Sequence, residues 1–168
     1  MHTPDYSEFT EALAAKGRQP QSAFAALYAL TNAVVGVKLF TIMVRDRVQG
    51  TSQRVFSNMP DAYPVGGAKP ANMTDWSRQV IDAKRTFVAN DIGGIAAVFD
   101  DHALIKSLGC ESVVNVPIVV DGEVLGTINC LHEAGYYTEE KIEAAEALKI
   151  PGAACLLLNE RDAAKGGR

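Results

Sequence analysis

The stretch VVNVPIVVDGEVLGTINCLH, residues 113–132, contains two apolar runs joined by Asp121-Gly122. A two-residue Asp-Gly loop between such runs is typical of a β-hairpin with a type I′ turn. Neither run alternates between apolar and polar residues, so the sequence predicts that both faces of the hairpin are covered. Four polar or reactive side chains nevertheless lie within it, at Asn115, Asn129, Cys130 and His132. These side chains are either packing residues or the lining of a site.

The predicted turn pairs Val120 with Glu123, and each residue before Val120 then pairs with the corresponding residue after Glu123. Asn115 and Asn129 are then expected on opposite faces of the sheet, so only one of them lines any one cavity. A buried amide without a hydrogen bond is costly, and each must therefore find a partner. One is expected to hold backbone while the other faces a ligand, and the sequence does not decide which. Pro117 favours a sheet edge or a bulge nearby.

Hydrophobic periodicity predicts the remaining elements. Residues 59–73 hold three of the seven prolines and are predicted to form a long ordered loop, a kind of segment that often carries function. Pro151 is expected to kink or interrupt the last helix. The predicted helices cover residues 5–17, 21–34, 74–84, 99–108 and 138–158, and the further strands cover 37–45, 53–58 and 86–89. This order predicts an α+β fold, with an antiparallel sheet layered by helices.

The composition fits one globular domain over residues 1–168. The net charge is −4 and no long basic run is present, which argues against a nucleic-acid or membrane partner. No apolar run approaches the roughly 20 residues that span a bilayer. Because the N-terminus lacks the pattern of a secretion signal, a cytoplasmic location is expected. Three cysteines without CxxC spacing predict buried free thiols.

At the hairpin of residues 113–132 the chain begins to resemble a GAF domain, a small-molecule-binding relative of the PAS fold. The resemblance in the order of elements covers roughly residues 20–160, which it implies to be the core of the domain. The resemblance is carried by Gly109, the strand Val-Val-Asn-Val-Pro117, the turn at Gly122, the Gly126-Thr-Ile strand and the acidic start of the last helix, YYTEEKIEAAEAL. It implies a central antiparallel sheet with terminal helices on one face. It also implies a ligand pocket on the other face, roofed by residues 59–110, and a free-standing domain with a role in signalling.

Other activities of GAF proteins fit these residues less well. Free methionine-(R)-sulfoxide reductases are single GAF domains that need a cysteine in the loop before the middle helix, and residues 59–73 contain none. Cys110 is offset from the second cysteine that these enzymes use. Haem would need His102 or His132 as an axial ligand, without the aromatic enrichment that a haem site shows. Asp100, Asp101 and His102 point in different directions on a helix, so neither a metal nor a cofactor is expected.

The sequence therefore predicts a domain that binds a small polar or aromatic molecule. The predicted lining consists of Tyr63, Lys69, Trp76, His102, Asn115 and Asn129. Trp76 or Tyr63 would stack on a flat ring, and Lys69 with Arg45 would meet an anion. The alternative is a cofactor-free enzyme in which His102 acts as general acid or base. A third interpretation is an interaction module that forms a homodimer through residues 5–34 and 138–158 and binds nothing else.

Overall fold

The computed structural model describes residues 4–70 and 73–166 as an antiparallel sheet with helices against it. The strands are β1 (Leu39–Arg45), β2 (Ser52–Ser57), β3 (Gly66–Lys69), β4 (Phe87–Ala89), β5 (Ser112–Val120) and β6 (Glu123–His132). The helices are α1 (Ser7–Ala14), α2 (Gln21–Val34), α3 (Asp75–Ser77), α4 (Ile92–Ala96), α5 (His102–Ser107), α6 (Glu139–Glu146) and α7 (Lys149–Gly166). The six strands lie in the order β3-β2-β1-β6-β5-β4, which places the quoted hairpin inside the sheet. The predicted α+β class and antiparallel sheet are confirmed.

One face of the sheet forms the main hydrophobic core beneath α2, α6 and α7. Its side chains include Phe24, Leu27, Phe40, Ile42, Val114, Val116, Ile118, Ile128, Cys130 and Leu156, all at most 1% exposed. Helix α7 comes close to the strands at Gly152, where an added Cβ would lie 2.6 Å from Ile128 Cδ1. The predicted packing of terminal helices on one face is therefore confirmed.

The hairpin turns at Asp121-Gly122 as predicted, and both residues have positive φ. Val120 pairs with Glu123 and Val119 with Val124, but the next pair is Ile118 with Gly126. Leu125 is thus an extra residue, a β-bulge that shifts the rest of β6 by one position. Because side chains alternate with period two, this shift moves every following side chain of β6 to the other face.

The prediction that Asn115 and Asn129 lie on opposite faces is consequently wrong. The two asparagines are direct cross-strand partners, and both face away from the main core. Gly126 follows the bulge where β1 passes so closely that a Cβ would overlap the carbonyl oxygen of Met43. A bulge is well accommodated at a glycine in such close contact.

The segments over the second face are more divided than the sequence suggests. The predicted loop at 59–73 contains β3, while its residues 71 and 72 lie outside the described residues. The predicted helix at 74–84 is the single turn α3 followed by a π-helical turn, Arg78–Asp82. The predicted helix at 99–108 begins only at His102, and a separate short helix, α4, precedes it.

The last predicted helix is interrupted before Pro151 rather than at it. Helix α6 ends at Glu146 and α7 starts at Lys149, so Pro151 lies in the first turn of α7. Proline is tolerated there because the first N–H groups of a helix have no intrahelical acceptor. Within the described ranges, no helix is both long and apolar enough to cross a bilayer.

Candidate functional site

A cavity of about 490 Å³ lies between the second face of the sheet and the segments that cover it. Its floor is made of alternate residues of β1, β2, β5 and β6, as expected for side chains that share one face of a sheet. Its walls and roof come from β3, α3, the π-helical turn and the residues around α5. Roof residues include Tyr63, Pro70, Met73, Thr74, Trp76, Ser77, Ile81, Val98, Phe99 and Ile105.

The floor side chains form four rows across the strands, and their polarity changes from row to row. The first row is apolar, the second carries amides, the third is mixed and the fourth is cationic at both ends. The rows are Leu39 with Leu131 and Val113, Thr41 with Asn129 and Asn115, Met43 with Thr127 and Arg54, and Arg45 with Ser52 and Lys69. The cavity therefore has an apolar end and a cationic end, with the amides between them.

The amide row is a continuous chain of hydrogen bonds. Trp76 Nε1 donates to Asn115 Oδ1 at 2.9 Å, and Asn115 Nδ2 donates to Asn129 Oδ1 at 2.8 Å. Asn129 Nδ2 then donates to Thr41 Oγ1 at 3.2 Å. Asn115 and Asn129 are only 3% and 7% exposed, so each would be costly without its partner. The chain fixes both amides and the indole in one orientation along the cavity.

Trp76 is held in the roof by its local sequence. Thr74 caps α3 and shares a reciprocal capping box with Ser77. The indole also meets the ring of Phe99 edge to face, with 6.2 Å between ring centroids. The indole thus connects the roof to the floor, by packing on one side and by a hydrogen bond on the other.

Arg54 and Tyr63 form a second polar group, in which Tyr63 belongs to the buried cluster that contains Leu39, Val113 and Leu131. The Arg54 guanidinium lies 4.8 Å from the centre of the Tyr63 ring, and its Nη1 donates to the carbonyl oxygen of Pro64 at 3.0 Å. Arg54 Nε is buried and has no hydrogen-bond partner among the described residues. Burial lowers the pKa of the Arg54 guanidinium from its usual value. This buried donor therefore still lacks an acceptor.

Tyr63 connects the segment before β3 to the start of α5. Its hydroxyl donates to Asp101 Oδ2 at 2.7 Å, and the side chain is 7% exposed. Burial and this carboxylate both raise the pKa of the Tyr63 hydroxyl well above its usual value, so the phenol stays protonated. Asp101 precedes α5, but its side chain makes no capping hydrogen bond to that helix.

Five of the six predicted ligand-binding residues line the cavity: Tyr63, Lys69, Trp76, Asn115 and Asn129. Their role in binding stays a prediction. His102 is not part of the lining, and its Nδ1 lies 3.0 Å from the carbonyl oxygen of Phe99. His132 stacks on Tyr136, with 3.4 Å between ring centroids, and it too is outside the lining.

The sequence interpretation missed Thr41, Arg54 and Asp101 as lining residues. A signal for Thr41 was present, because a threonine inside the apolar run LFTIMV is unusual on a fully covered strand. Arg54 gave no local signal, because it reaches the site only through the pairing of β2 with β1. Asp101 was considered only for a metal site, and its contact with Tyr63 depends on the tertiary structure.

All three cysteines are buried free thiols, as predicted, and none lines the cavity. Burial raises the pKa of each thiol, and it raises those of Cys130 and Cys155 to about 12. A thiol with so high a pKa is a poor nucleophile near neutral pH. The part of the chain that the structure describes also contains no group of three or more His, Cys, Asp or Glu side chains arranged to hold a metal.

The sequence matches the family model of the GAF domain over residues 21–148, and the chain therefore belongs to the GAF domain family. No protein of curated function matches it in sequence.

Solved structures show the same fold at low sequence identity. The GAF domain of a phosphoenolpyruvate-protein phosphotransferase from Coxiella burnetii is 16% identical, with a TM-score of 0.72 over 96% of this chain and 94% of that one. A GAF domain/HD domain protein from Geobacter sulfurreducens is 13% identical, with a TM-score of 0.64 over 83% and 91%. The GAF domain of the cyanobacteriochrome TePixJ is 19% identical, with a TM-score of 0.64 over 84% and 91%. At these identities, the likeness concerns the fold alone.

Proposed function

We propose that this GAF domain binds a small polar or aromatic molecule in the cavity above its sheet and acts as a ligand sensor. The observation that carries the proposal is the hydrogen-bonded chain Trp76–Asn115–Asn129–Thr41 on the cavity side of the sheet. Protein interiors rarely leave voids much larger than a water molecule, whereas ligand pockets typically measure about 300–1,000 Å³. The cavity of about 490 Å³ therefore has the size of a ligand pocket.

The alternative of a structural role for the amides explains less of the site. An amide that only ties down backbone would pair with main-chain groups. Asn129 Nδ2 does lie 3.5 Å from the Thr41 carbonyl oxygen, but Asn115 pairs with two side chains. Among the described residues, the buried amides are Asn115 and Asn129, and both line the cavity. This arrangement supports a role for the pair in meeting a polar ligand.

Native mass spectrometry of the freshly purified protein tests the proposal. We expect a small molecule that is present in the native mass and absent from the denatured mass. Asn129→Leu should lose this species, because it removes the central amide, while Arg161→Gln on the exposed end of α7 should keep it. A wild-type protein that is empty and whose single tryptophan responds to no added small molecule would contradict the proposal.

Turnover that uses His102 is supported less well than binding. A general acid or base must come within hydrogen-bonding reach of the reacting atom. His102 lies outside the cavity lining, and its Nδ1 is close to a backbone carbonyl. We therefore expect His102→Ala to retain the bound species.

We also infer a homodimer through the terminal helices. On α7, Ile150 is 82% exposed and Leu157 is 45% exposed, and residues seven apart lie on the same side of a helix. The same native spectrum gives the oligomeric mass, and Ile150→Lys should shift a dimer towards monomer. A monomer at all concentrations would contradict this inference.

A further inference from the structure

We propose that the ligand is an aromatic acid, with its ring beside the amide row and its carboxylate at the cationic end of the cavity. The proposal rests on the proposed function and adds the chemical class of the ligand. It follows from the unequal distribution of charge over the cavity floor.

Three cations lie on neighbouring strands at one end of the floor. Arg45 and Lys69 belong to the same cross-strand row, each directly opposite Ser52, and Arg54 lies in the adjacent row. None of the three has a carboxylate within 4.0 Å in the described part of the chain, although six other ion pairs form there. None of the three cations therefore forms an ion pair within the described ranges, although the charge of Asp101 does act on Arg54.

The two arginines are oriented by backbone carbonyls, which leaves donors free. Arg45 Nη1 donates to the Gly50 carbonyl oxygen at 3.4 Å and Arg54 Nη1 to that of Pro64 at 3.0 Å. A guanidinium presents its donors in a planar fork that matches a carboxylate, so a ligand carboxylate would satisfy them.

The carboxylates of the cavity belong to the roof, and among the described residues none of them forms an ion pair with the three cations. Asp82 and Asp100 are exposed to solvent, at the end of the π-helical turn and before α5. Asp101 Oδ2 accepts a hydrogen bond of 2.7 Å from the hydroxyl of Tyr63. A cationic ligand group on the floor would instead meet Arg54 and Arg45, so the floor selects against cations.

The spacing of the rows sets the size of the ligand. Arg54 is one row, or two residues, from the row that holds Thr41 and Asn129, which corresponds to roughly 7 Å along a strand. One aromatic ring with a short acidic side chain spans such a distance. The ring would then lie near Trp76, and its edge would face the amides.

A matched set of three probes tests this assignment: 3-phenylpropionate, 3-phenylpropanamide and 3-phenylpropylammonium. They share the ring and chain length and differ in charge. The protein has a single tryptophan, so its indole N–H gives one cross-peak in a ¹⁵N–¹H correlation spectrum, and this peak reports on the cavity directly. We expect the carboxylate to bind about tenfold more tightly than the amide, because charge-assisted hydrogen bonds are the stronger ones. The ammonium probe should bind most weakly.

The variants separate local recognition from overall charge. Arg54→Gln should remove most of the preference for the carboxylate. Lys69→Gln, at an exposed position where folding is not at risk, should reduce it. Arg161→Gln changes the net charge equally but lies on α7, and it should leave the preference unchanged.

The outcomes distinguish this inference from the proposed function. If the amide or the ammonium probe binds as tightly as the carboxylate, the aromatic-acid assignment is overturned while ligand binding stands. If none of the probes shifts the indole peak although the native mass shows a bound species, the assignment is again overturned. If the native mass spectrum also shows no bound species, both the aromatic-acid assignment and the proposed function are overturned.

Discussion

The two faces of β5 and β6 differ although they belong to the same two strands. On the helix-covered face, Val114, Val116 and Ile128 are fully buried against apolar neighbours. On the cavity face, Asn115 and Asn129 are almost as buried, but they are held by hydrogen bonds to side chains beside an open volume. Burial alone thus does not separate the core from the site; the chemistry of the partners does.

This difference indicates that the two faces contribute differently to stability and to binding. The apolar face supplies most of the folding free energy through area removed from water. The cavity face can therefore carry polar groups and unfilled space, both of which reduce stability. Substitutions on the two faces should accordingly differ in their effects on stability and on binding.

The largest expected effect is on the helix-covered face. Ile128→Ala removes a fully buried side chain beneath α7 and should lower the free energy of unfolding by about 2–5 kcal/mol. Ligand binding by the protein that remains folded should change little. Urea denaturation measures the first effect, and Val119→Ala, at a position 37% exposed, is the matched control on the same hairpin. If Ile128→Ala lowered the free energy of unfolding by less than Val119→Ala does, the helix-covered face would not be the main source of stability.

A smaller effect is expected from Asn129→Leu on the cavity face. It leaves Asn115 Nδ2 without its acceptor and should cost about 1–3 kcal/mol. The double variant Asn115→Leu/Asn129→Leu should cost less than the sum of the single variants, since it removes both members of the pair. Additive losses in a double-mutant cycle would mean that the two amides act independently.

Tyr63→Phe should cost about 1 kcal/mol, because it removes one hydrogen bond to Asp101 without changing the ring. Hydrogen exchange in residues 59–70 should become faster, since this bond connects the segment to α5. Tyr6→Phe, at a position 39% exposed, is the control. Equal exchange in both variants would exclude Tyr63 as a connection between roof segments.

The smallest signal is expected from the thiols of the helix-covered face. Cys130 and Cys155, whose pKa values burial raises to about 12, should not react with a disulfide reagent at pH 8 until the protein is unfolded. Because the folded pKa values are above the ordinary value of 9.0, the folded state holds these protons more tightly than the unfolded state. The resulting stability is fully present below pH 9 and should be lost as the pH rises towards 12. Rapid labelling of the folded protein at pH 8 would contradict the burial of these thiols.

Much of the fold was predictable because its signals are local. The range of α2 follows from helical spacing, and the predicted residues 21–34 agree with the structure. The turn at Asp121-Gly122 follows from two residues that tolerate positive φ. A bulge near Pro117 was one of two possibilities that the sequence left open, and it lies opposite Ile118 and Val119. Its position at Leu125 was missed, although a glycine inside a strand, here Gly126, is the usual sign of one. A single inserted position was enough to assign the following β6 residues to the wrong face.

The sequence by itself determined the order of the longer elements, the covered hairpin and the family to which the chain belongs. It also indicated five of the residues around the cavity, because polar side chains in apolar strands stand out. Only the tertiary structure decided that Asn115 and Asn129 form one pair and that Arg54 lies in the row next to that of Arg45 and Lys69. The physical reason is that turns and helices depend on neighbours in sequence, whereas register depends on which strands and helices pack together.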